Sequence, residues 1–350
     1  MTTLLARHLV VLSLEPWDGV WRRNQHLVSQ LLEQGLVERV TFVEPAGRGR
    51  ATRSTPHPGV TALRPRLRLP RRAGGLRLVA AELRAGPLRG ADLLWVNDAP
   101  LGRWVAGHGV RGFHDVTDDW RETVNTPRVR DRLVAAEDWL ALAIPTVVCS
   151  DVLAQRWHER YGVRAHVVPN GVDLDGFRHA RRLVLDGPGP HVGYVGTLHA
   201  ERLDVPLVAE LARTPGIGTV HLVGPDALDD ASRAELDAAG VVRHGPVDHT
   251  EVPSWMTSLD VLVCPHLITP FTLSLDAIKA REYLAAGRPV VATPTSGFQS
   301  LTDAGTSVVG RSAFAGAVVR AAAAPPAPAS HIPTGWRDRA LQLSAAVSRT

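Results

Sequence analysis

The stretch "SLDAIKAREYLAAGRPVVAT" (274–293) holds Lys279, the one lysine in a chain whose other 38 strongly basic residues are all arginine. Lysine carries a compact ammonium on a flexible stem, whereas arginine presents a wide planar fork, so the choice matters most in a cramped anion pocket. Ser274 or Asp276 can cap a helix ending at Gly287. Lys279 then falls in its first turn, where free backbone N–H groups already favour an anion. Glu282, three residues on, shares that face. Lys279 adds a full positive charge near those N–H groups, which suits a phosphate. The same spacing also suits an ordinary surface ion pair, and a strong arginine bias leaves chance as another source of a lone lysine.

Other residue types with chemical potential lie in two further groups. Gly196 and Thr197, in "HVGYVGTL" (191–198), let a backbone approach phosphates closely, although tight strand–helix packing explains such a glycine equally well. The pattern is not the G-x-G-x-x-G of a dinucleotide site. "FHDVTDDW" (113–120) follows an apolar run and ends in three carboxylates. Asp118, then Asp115, are the candidates for a base that takes a proton from a hydroxyl, a role worth about 10²–10⁴-fold in rate; helix capping is their other reading. Trp17, Gly19, Arg22, Arg23 and His26 gather near the start of the first helix. Gly19 suits a tight turn, and the two arginines suit a phosphate of an acceptor or a leaving diphosphate. A solvated basic helix start fits the same residues.

These groups need elements to hold them. A chain of 350 residues fits two domains, and 45% apolar residues suffice for two cores. Short apolar runs alternate with helical patterns: "HLVVLSL" (8–14), "VTFVEP" (40–45), "DLLWVND" (92–98) and "TVVCS" (146–150), then again "HVGYVGTL", "TVHLVGP" (219–225), "VVRHGPV" (241–247), "DVLVCP" (260–265) and "RPVVAT" (288–293). Such alternation predicts parallel, doubly wound sheets. Polar, turn-rich breaks at 169–190 and 321–335 divide the chain, and two such halves imply a cleft between them. The expected units are 1–168, 169–325 and a terminal helix within 326–350 that packs back on the first.

Cys149 and Cys264, the only cysteines, each end an apolar run and read as buried strand-end thiols. The N-terminus reads as a first strand rather than a signal peptide, and no uninterrupted apolar stretch is long enough to span a membrane. A cytoplasmic protein is expected. Charge is uneven: residues 1–170 carry 24 arginines against 17 acids, and residues 171–350 carry 15 basic against 18 acidic residues. The excess concentrates between Arg48 and Arg89, which suits an anionic membrane surface or a phosphate-bearing substrate, or a solvated arginine-rich loop. No interleaved aromatics or binding motif point to nucleic acid.

Taken in order, four segments resemble group 1 glycosyltransferases, the family with the GT-B fold of two Rossmann-like doubly wound domains facing across a cleft. "HVVPNGVDLDGF" (166–177) is similar to their interdomain signature, "HVGYVGTL" to the first donor-domain strand and glycine loop, "VHLVGP" and "DVLVCP" to later strands, and "KAREYLAAGRPVVAT" (279–293) to the donor-site helix. "EPWDGVWRRNQHLVSQLLEQG" (15–35) resembles a subset that builds bacterial surface polysaccharides, of the teichuronic-acid type. The resemblance implies metal-independent transfer of a hexose from a UDP- or GDP-sugar to a hydroxyl acceptor, lipid-linked or at the membrane's inner face. It implies donor contacts from Gly196, Thr197, His199, Gly224, Gly245, Val247, Thr272, Ser274, Lys279 and Glu282, with Lys279 also stabilising the departing diphosphate. It assigns the acceptor to Trp17, Gly19, Arg22, Arg23 and His26, and base catalysis to Asp118 or Asp115. The "DLD" at 173–175 imitates the metal-binding Asp-x-Asp of the other glycosyltransferase fold, but its position in the interdomain signature reads as a helix cap, so no metal or other cofactor is expected.

The chain departs from the family at two points. Ser274 stands where many members carry the first glutamate of a Glu-x7-Glu pair, and the loop after the first donor strand offers only His199 and Arg202 as cations. Lys279 is expected to supply the missing charge, and stereochemistry stays open. A sugar-nucleotide 2-epimerase and a degenerate nucleotide-sugar-binding scaffold share the same architecture.

Overall fold

The computed structural model describes residues 4–122, 126–276, 278–299, 301–302, 306–324 and 333–348. The chain forms two compact units, one of residues 1–170 with 336–350 and one of residues 171–335.

The first unit is built on an eight-stranded sheet of β1 (Ala6–Leu12), β2 (Val37–Val43), β3 (Thr52–His57), β4 (Val60–Arg64), β5 (Leu93–Val96), β6 (Gly112–Val116), β7 (Thr146–Val148) and β8 (His166–Val167), in the order β3-β4-β2-β1-β5-β6-β7-β8. Only the β3–β4 pair is antiparallel. β1 lies between β2 and β5 with all but one residue buried, the continuous apolar run expected of a strand covered on both faces. The helix Arg23–Glu33 follows it, and the helix Trp336–Ser348 packs on that helix. His26 stacks on Trp336 with ring centroids 4.7 Å apart, and the side chain of Gln342 donates to the Val167 carbonyl at 2.9 Å. The break expected at 321–335 falls largely outside the described residues.

The arginine-rich stretch is not a bare loop. It contains β3, β4 and the helix Gly75–Ala85. β3 reads "TRSTPH" with no buried residue because it is an edge strand; only His57, near the Trp17 and Trp21 rings, is partly covered.

The second unit carries a parallel sheet of β9 (His191–Val195), β11 (Thr219–Val223), β13 (Val242–Gly245), β14 (Val261–Cys264), β15 (Val290–Ala292) and β16 (Thr306–Val308), in the order β13-β11-β9-β14-β15-β16. A small pair, β10 (Leu198–His199) with β12 (Asp226–Ala227), sits beyond the ends of β9 and β11. β9 has β11 on one side and β14 on the other, so the strand order reverses between β9 and β14. Ligands of open α/β sheets bind outside the carboxyl ends of the strands at such a point. Both cysteines are buried and unbridged; burial pushes the Cys264 thiol up to about 12, leaving it a neutral core group.

Candidate functional site

The carboxyl ends of β9, β11 and β13 are bound together through glycine. Gly196 N–H donates to the Val223 carbonyl and Gly224 N–H to the Gly245 carbonyl, each at 2.8 Å. A Cβ on Gly224 would lie 2.3 Å from the Gly196 carbonyl oxygen, and Gly224 has φ +140°. No other residue lets these loops stack so closely. Gly196, at φ +145°, has a second constraint: a Cβ there would lie 3.0 Å from both Cε and Nζ of Lys279. The lysine stem therefore occupies the space that the glycine leaves empty.

Lys279 is held by the helix Ile278–Ala285, which ends at Gly287 in the left-handed region (φ +62°) as its sequence predicts. Tyr283, four residues on and fully buried, fastens this helix to the sheet. Its hydroxyl accepts from Val195 N–H and donates to the Val263 carbonyl, both at 3.1 Å, joining the ends of β9 and β14. The Lys279 ammonium lies 4.7 Å from the centroid of the Tyr194 ring, within cation–π range. Burial opposes its charge, but the contact with the Tyr194 side chain favours it and its pKa is raised.

The Tyr194 hydroxyl is shared with His266 Nε2 at 3.2 Å and donates to the Thr197 carbonyl at 3.3 Å. His266 is buried, and its pKa falls well below the ordinary value through burial and then the charges of Lys279 and Arg202, so the ring is neutral. The Arg202 guanidinium lies 4.8 Å over the Phe271 ring, with its Nε buried and lacking a hydrogen-bond partner. His199 Nδ1 approaches Glu201 at 3.6 Å. Burial lifts the Glu282 carboxyl to about 7, with Lys279 pulling it down and Asp173 pushing it up. The carboxyl ends of β9 and β14 thus gather Gly196, Lys279, Arg202 and a buried neutral tyrosine–histidine pair. Such a group of cations beside open backbone suits an anion of the size of a diphosphate.

Several expected site residues are engaged elsewhere. Thr272 and Ser274 are fully buried, and their hydroxyls donate to the Leu267 and Phe271 carbonyls at 2.6 and 2.7 Å, so these side chains brace their own loop. Gly245 is in the left-handed region at φ +73°, and Val247 packs partly against the core of this unit. Asp173 caps a short helix by accepting from Gly176 N–H at 3.1 Å, and Asp175 pairs with Arg178 at 2.8 Å, so "DLD" serves as local capping.

In the first unit, two expectations need correction. Arg23, expected at an acceptor phosphate, is buried and grips Asp115, expected as a second candidate base. Its Nε and Nη2 donate to the two Asp115 oxygens at 3.0 and 3.1 Å, and Nη1 donates to Asn170 at 3.2 Å. A carboxylate so enclosed is committed to a structural bidentate pair. Arg22 likewise donates to Asp18 and to the Val20 carbonyl at 3.0 and 2.8 Å. Gly19 is not in the left-handed region and a Cβ there meets nothing within 4 Å, so its turn does not require glycine. Trp17 packs edge-on to Phe42 with centroids 5.0 Å apart. Asp118 is partly exposed beyond β6, accepting from the Thr117 hydroxyl at 3.0 Å. Its neighbour Asp119 is buried between Arg156 and Arg160, whose hydrogen bonds outweigh burial and hold its carboxyl below the ordinary range. The neighbours of the Lys279 cluster that sequence reasoning missed are Tyr194, His266 and Tyr283. For Tyr283 a signal existed, since it lies one helical turn from Lys279.

Two family models match the chain. One described as glycosyl transferases group 1 matches residues 189–324, and one described as Glycosyltransferase Family 4 matches residues 17–175. TuaH of Bacillus subtilis (strain 168), assigned by name to teichuronic acid biosynthesis as a glycosyltransferase, is 34% identical over 137 residues. That alignment covers 37% of this chain and 34% of TuaH, about a third of the relative's length. Among solved structures, sucrose-phosphate synthase from Thermosynechococcus elongatus superposes with a TM-score of 0.70 at 18% identity, covering 98% of this chain and 94% of that one. Anabaena HepE in complex with UDP and glucose gives a TM-score of 0.68 at 15% identity, covering 98% and 97%. These structures share the fold. With a family match on each half and the donor-side motifs in order, the chain belongs to the group 1, family 4-like glycosyltransferases of GT-B fold.

Proposed function

We propose that this protein transfers a hexose from a nucleoside-diphosphate sugar to a hydroxyl acceptor during assembly of a cell-envelope polysaccharide. The observation that carries this reading is the Lys279 ammonium, set against Gly196 at the carboxyl ends of β9 and β14 with Glu282 one turn away. Charge develops on the diphosphate as the glycosidic bond breaks, and a fixed ammonium there stabilises the transition state more than the ground state. Arg202 adds a second positive group, so the reaction needs no metal to carry that charge. Gly196, Thr197 and Gly224 line the phosphates with backbone, His199, Gly245 and Val247 lie toward the nucleotide, and Glu282 accepts from the ribose diol. Asp118 acts as the base on the acceptor hydroxyl, with Trp17 and His26 on the acceptor side. The likeness to TuaH over part of its length supports the envelope role, and HepE with UDP and glucose supports a uridine donor.

The exposed arginines between Arg48 and Arg89 suit an acceptor carried on an anionic membrane, met from the cytoplasmic side. Among the described residues no helix is long and apolar enough to cross a membrane.

The test is calorimetric titration of UDP, GDP and their sugars in EDTA, on the wild type and on Lys279→Arg. One nucleotide should bind without metal, and the arginine variant should bind it at least about tenfold more weakly, because the wider fork meets Gly196 and the Tyr194 ring. Equal binding by the variant overturns the role of Lys279. Product analysis then separates the chemistry: a glycosylated acceptor supports transfer, whereas an isomerised donor sugar without an acceptor assigns an epimerase.

A further inference from the structure

We propose that Tyr194 is a positioning residue for Lys279, its ring holding the ammonium against the Gly196 loop and so setting the preference for a nucleoside diphosphate over a monophosphate. The inference rests on the donor-site reading above and deepens it.

A lysine side chain has four rotatable bonds, and a free one would spread its charge over many positions. Three contacts restrict this one. Gly196 leaves room for Cε and Nζ, each of which would lie only 3.0 Å from a Cβ placed there. The Tyr194 ring lies 4.7 Å from Nζ and offers its negative face to the cation. The third contact is indirect: the core encloses the Tyr194 ring, and its hydroxyl is tied in addition to His266 Nε2 and to the Thr197 carbonyl at 3.2 and 3.3 Å. His266 is itself fixed, its backbone N–H donating to Thr293 at 3.0 Å and its carbonyl accepting from the Thr293 hydroxyl at 2.8 Å. Tyr194 is buried at 2% exposure, so the ring has no solvent-facing alternative.

The histidine suits this task because it is neutral. A charged imidazole so near Lys279 and Arg202 would repel both, whereas a neutral one anchors the phenol without competing for the anion. An ammonium held this way meets a second phosphate group without first losing rotational freedom, which is the benefit of preorganisation. A monophosphate that does not reach the ammonium gains nothing from it. The ratio of diphosphate to monophosphate affinity therefore reports on the position of Lys279, and a general loss of core packing would lower both affinities together.

The experiment is calorimetric titration of the full chain with UDP and UMP, and with GDP and GMP, in EDTA. Tyr194→Met removes the ring while filling its space with a flexible side chain, and Tyr194→Phe keeps the ring. The diphosphate preference should fall by about tenfold in Tyr194→Met and stay within about twofold in Tyr194→Phe. In a Lys279→Met background, Tyr194→Met should change the preference by less than about twofold, since a residue that acts through another has nothing left to position. Equal losses in both backgrounds overturn the proposal. So does a preference lost in Lys279→Met but kept in Tyr194→Met, an outcome that leaves the donor site standing. A preference unchanged in Lys279→Met overturns the donor-site reading and the proposal with it. Should Tyr194→Met fail to fold, Tyr194→Phe still decides: loss of the preference with the ring retained assigns the effect to the hydroxyl and overturns the role of the ring.

Discussion

Glu282 shows how one partly buried carboxyl couples stability and binding in opposite directions. Burial lifts it from the ordinary 4.5 to about 7. A carboxyl raised in the folded state favours folding when protonated, so its contribution is fully present below 4.5 and is lost as pH rises through about 7. Hydrogen bonds from a ribose diol are accepted best by the ionised form, so donor affinity should rise over the same interval and level off above it. Thermal unfolding with and without UDP at pH 6 and pH 8 reads both effects at once: the stabilisation by UDP should be larger at pH 8, and Glu282→Gln should shrink that difference to the part set by ionisation of the UDP terminal phosphate. A UDP shift that is equal at the two pH values in the wild type removes Glu282 from the diol. The same economy of position explains the lone lysine. In an arginine-rich chain, the side chain at 279 ends close against Gly196, where a compact ammonium needs less room than a guanidinium fork.

Between elements, the Arg23–Asp115 pair ties the first helix to the inside of β6. Both partners are buried, so removing one leaves an uncompensated charge. Arg23→Met should destabilise the protein by about 3–5 kcal/mol, measured by urea unfolding, while the Arg23→Met/Asp115→Asn double variant should recover part of that loss. A single variant within about 0.5 kcal/mol of wild type would mean that the pair is not formed in solution. Nothing in the sequence could pair these residues, which stand 92 positions apart, and each by itself resembled a functional group. The parallel sheets were legible because their central strands are covered on both faces and read as unbroken apolar runs, as in "HLVVL" and "VLVC". The edge hairpin β3–β4 was not, since its first strand has no buried face to impose alternation. Around Lys279, Gly196 and the lysine itself were legible because close backbone approach and a compact charge each demand a particular residue type. Tyr194 and His266 were hidden, because a tyrosine in a strand and a histidine after one are ordinary core residues until their hydrogen bond is seen.

For the molecule as a whole, the uneven charge is the largest feature that the cluster around Lys279 does not use. Between residues 48 and 89 stand eleven arginines and a single acid, Glu82, and every one of those arginines is exposed. Only Arg68 among them forms an ion pair with a described carboxylate, 3.0 Å from Glu82. Leu69 and Leu78 are exposed within the same stretch, at 45% and 41%. Scattered arginines on a water-facing surface would be matched by acids of opposite sign; a run of one sign with apolar side chains among it fits a bilayer bearing anionic headgroups. Each juxtamembrane cation is worth about 1 kcal/mol at such a surface and the attraction decays within about 8 Å at physiological salt. Reversing Arg64, Arg66, Arg71 and Arg72 to Glu should therefore weaken sedimentation with vesicles containing phosphatidylglycerol by at least about tenfold, and wild-type binding should fall steeply as salt is raised. These residues are remote in sequence from the donor motifs, so UDP affinity should not move. If the reversed variant sediments as the wild type does, the membrane is not the partner, and the arginines then serve a soluble phosphate-bearing acceptor whose turnover the same variant should slow.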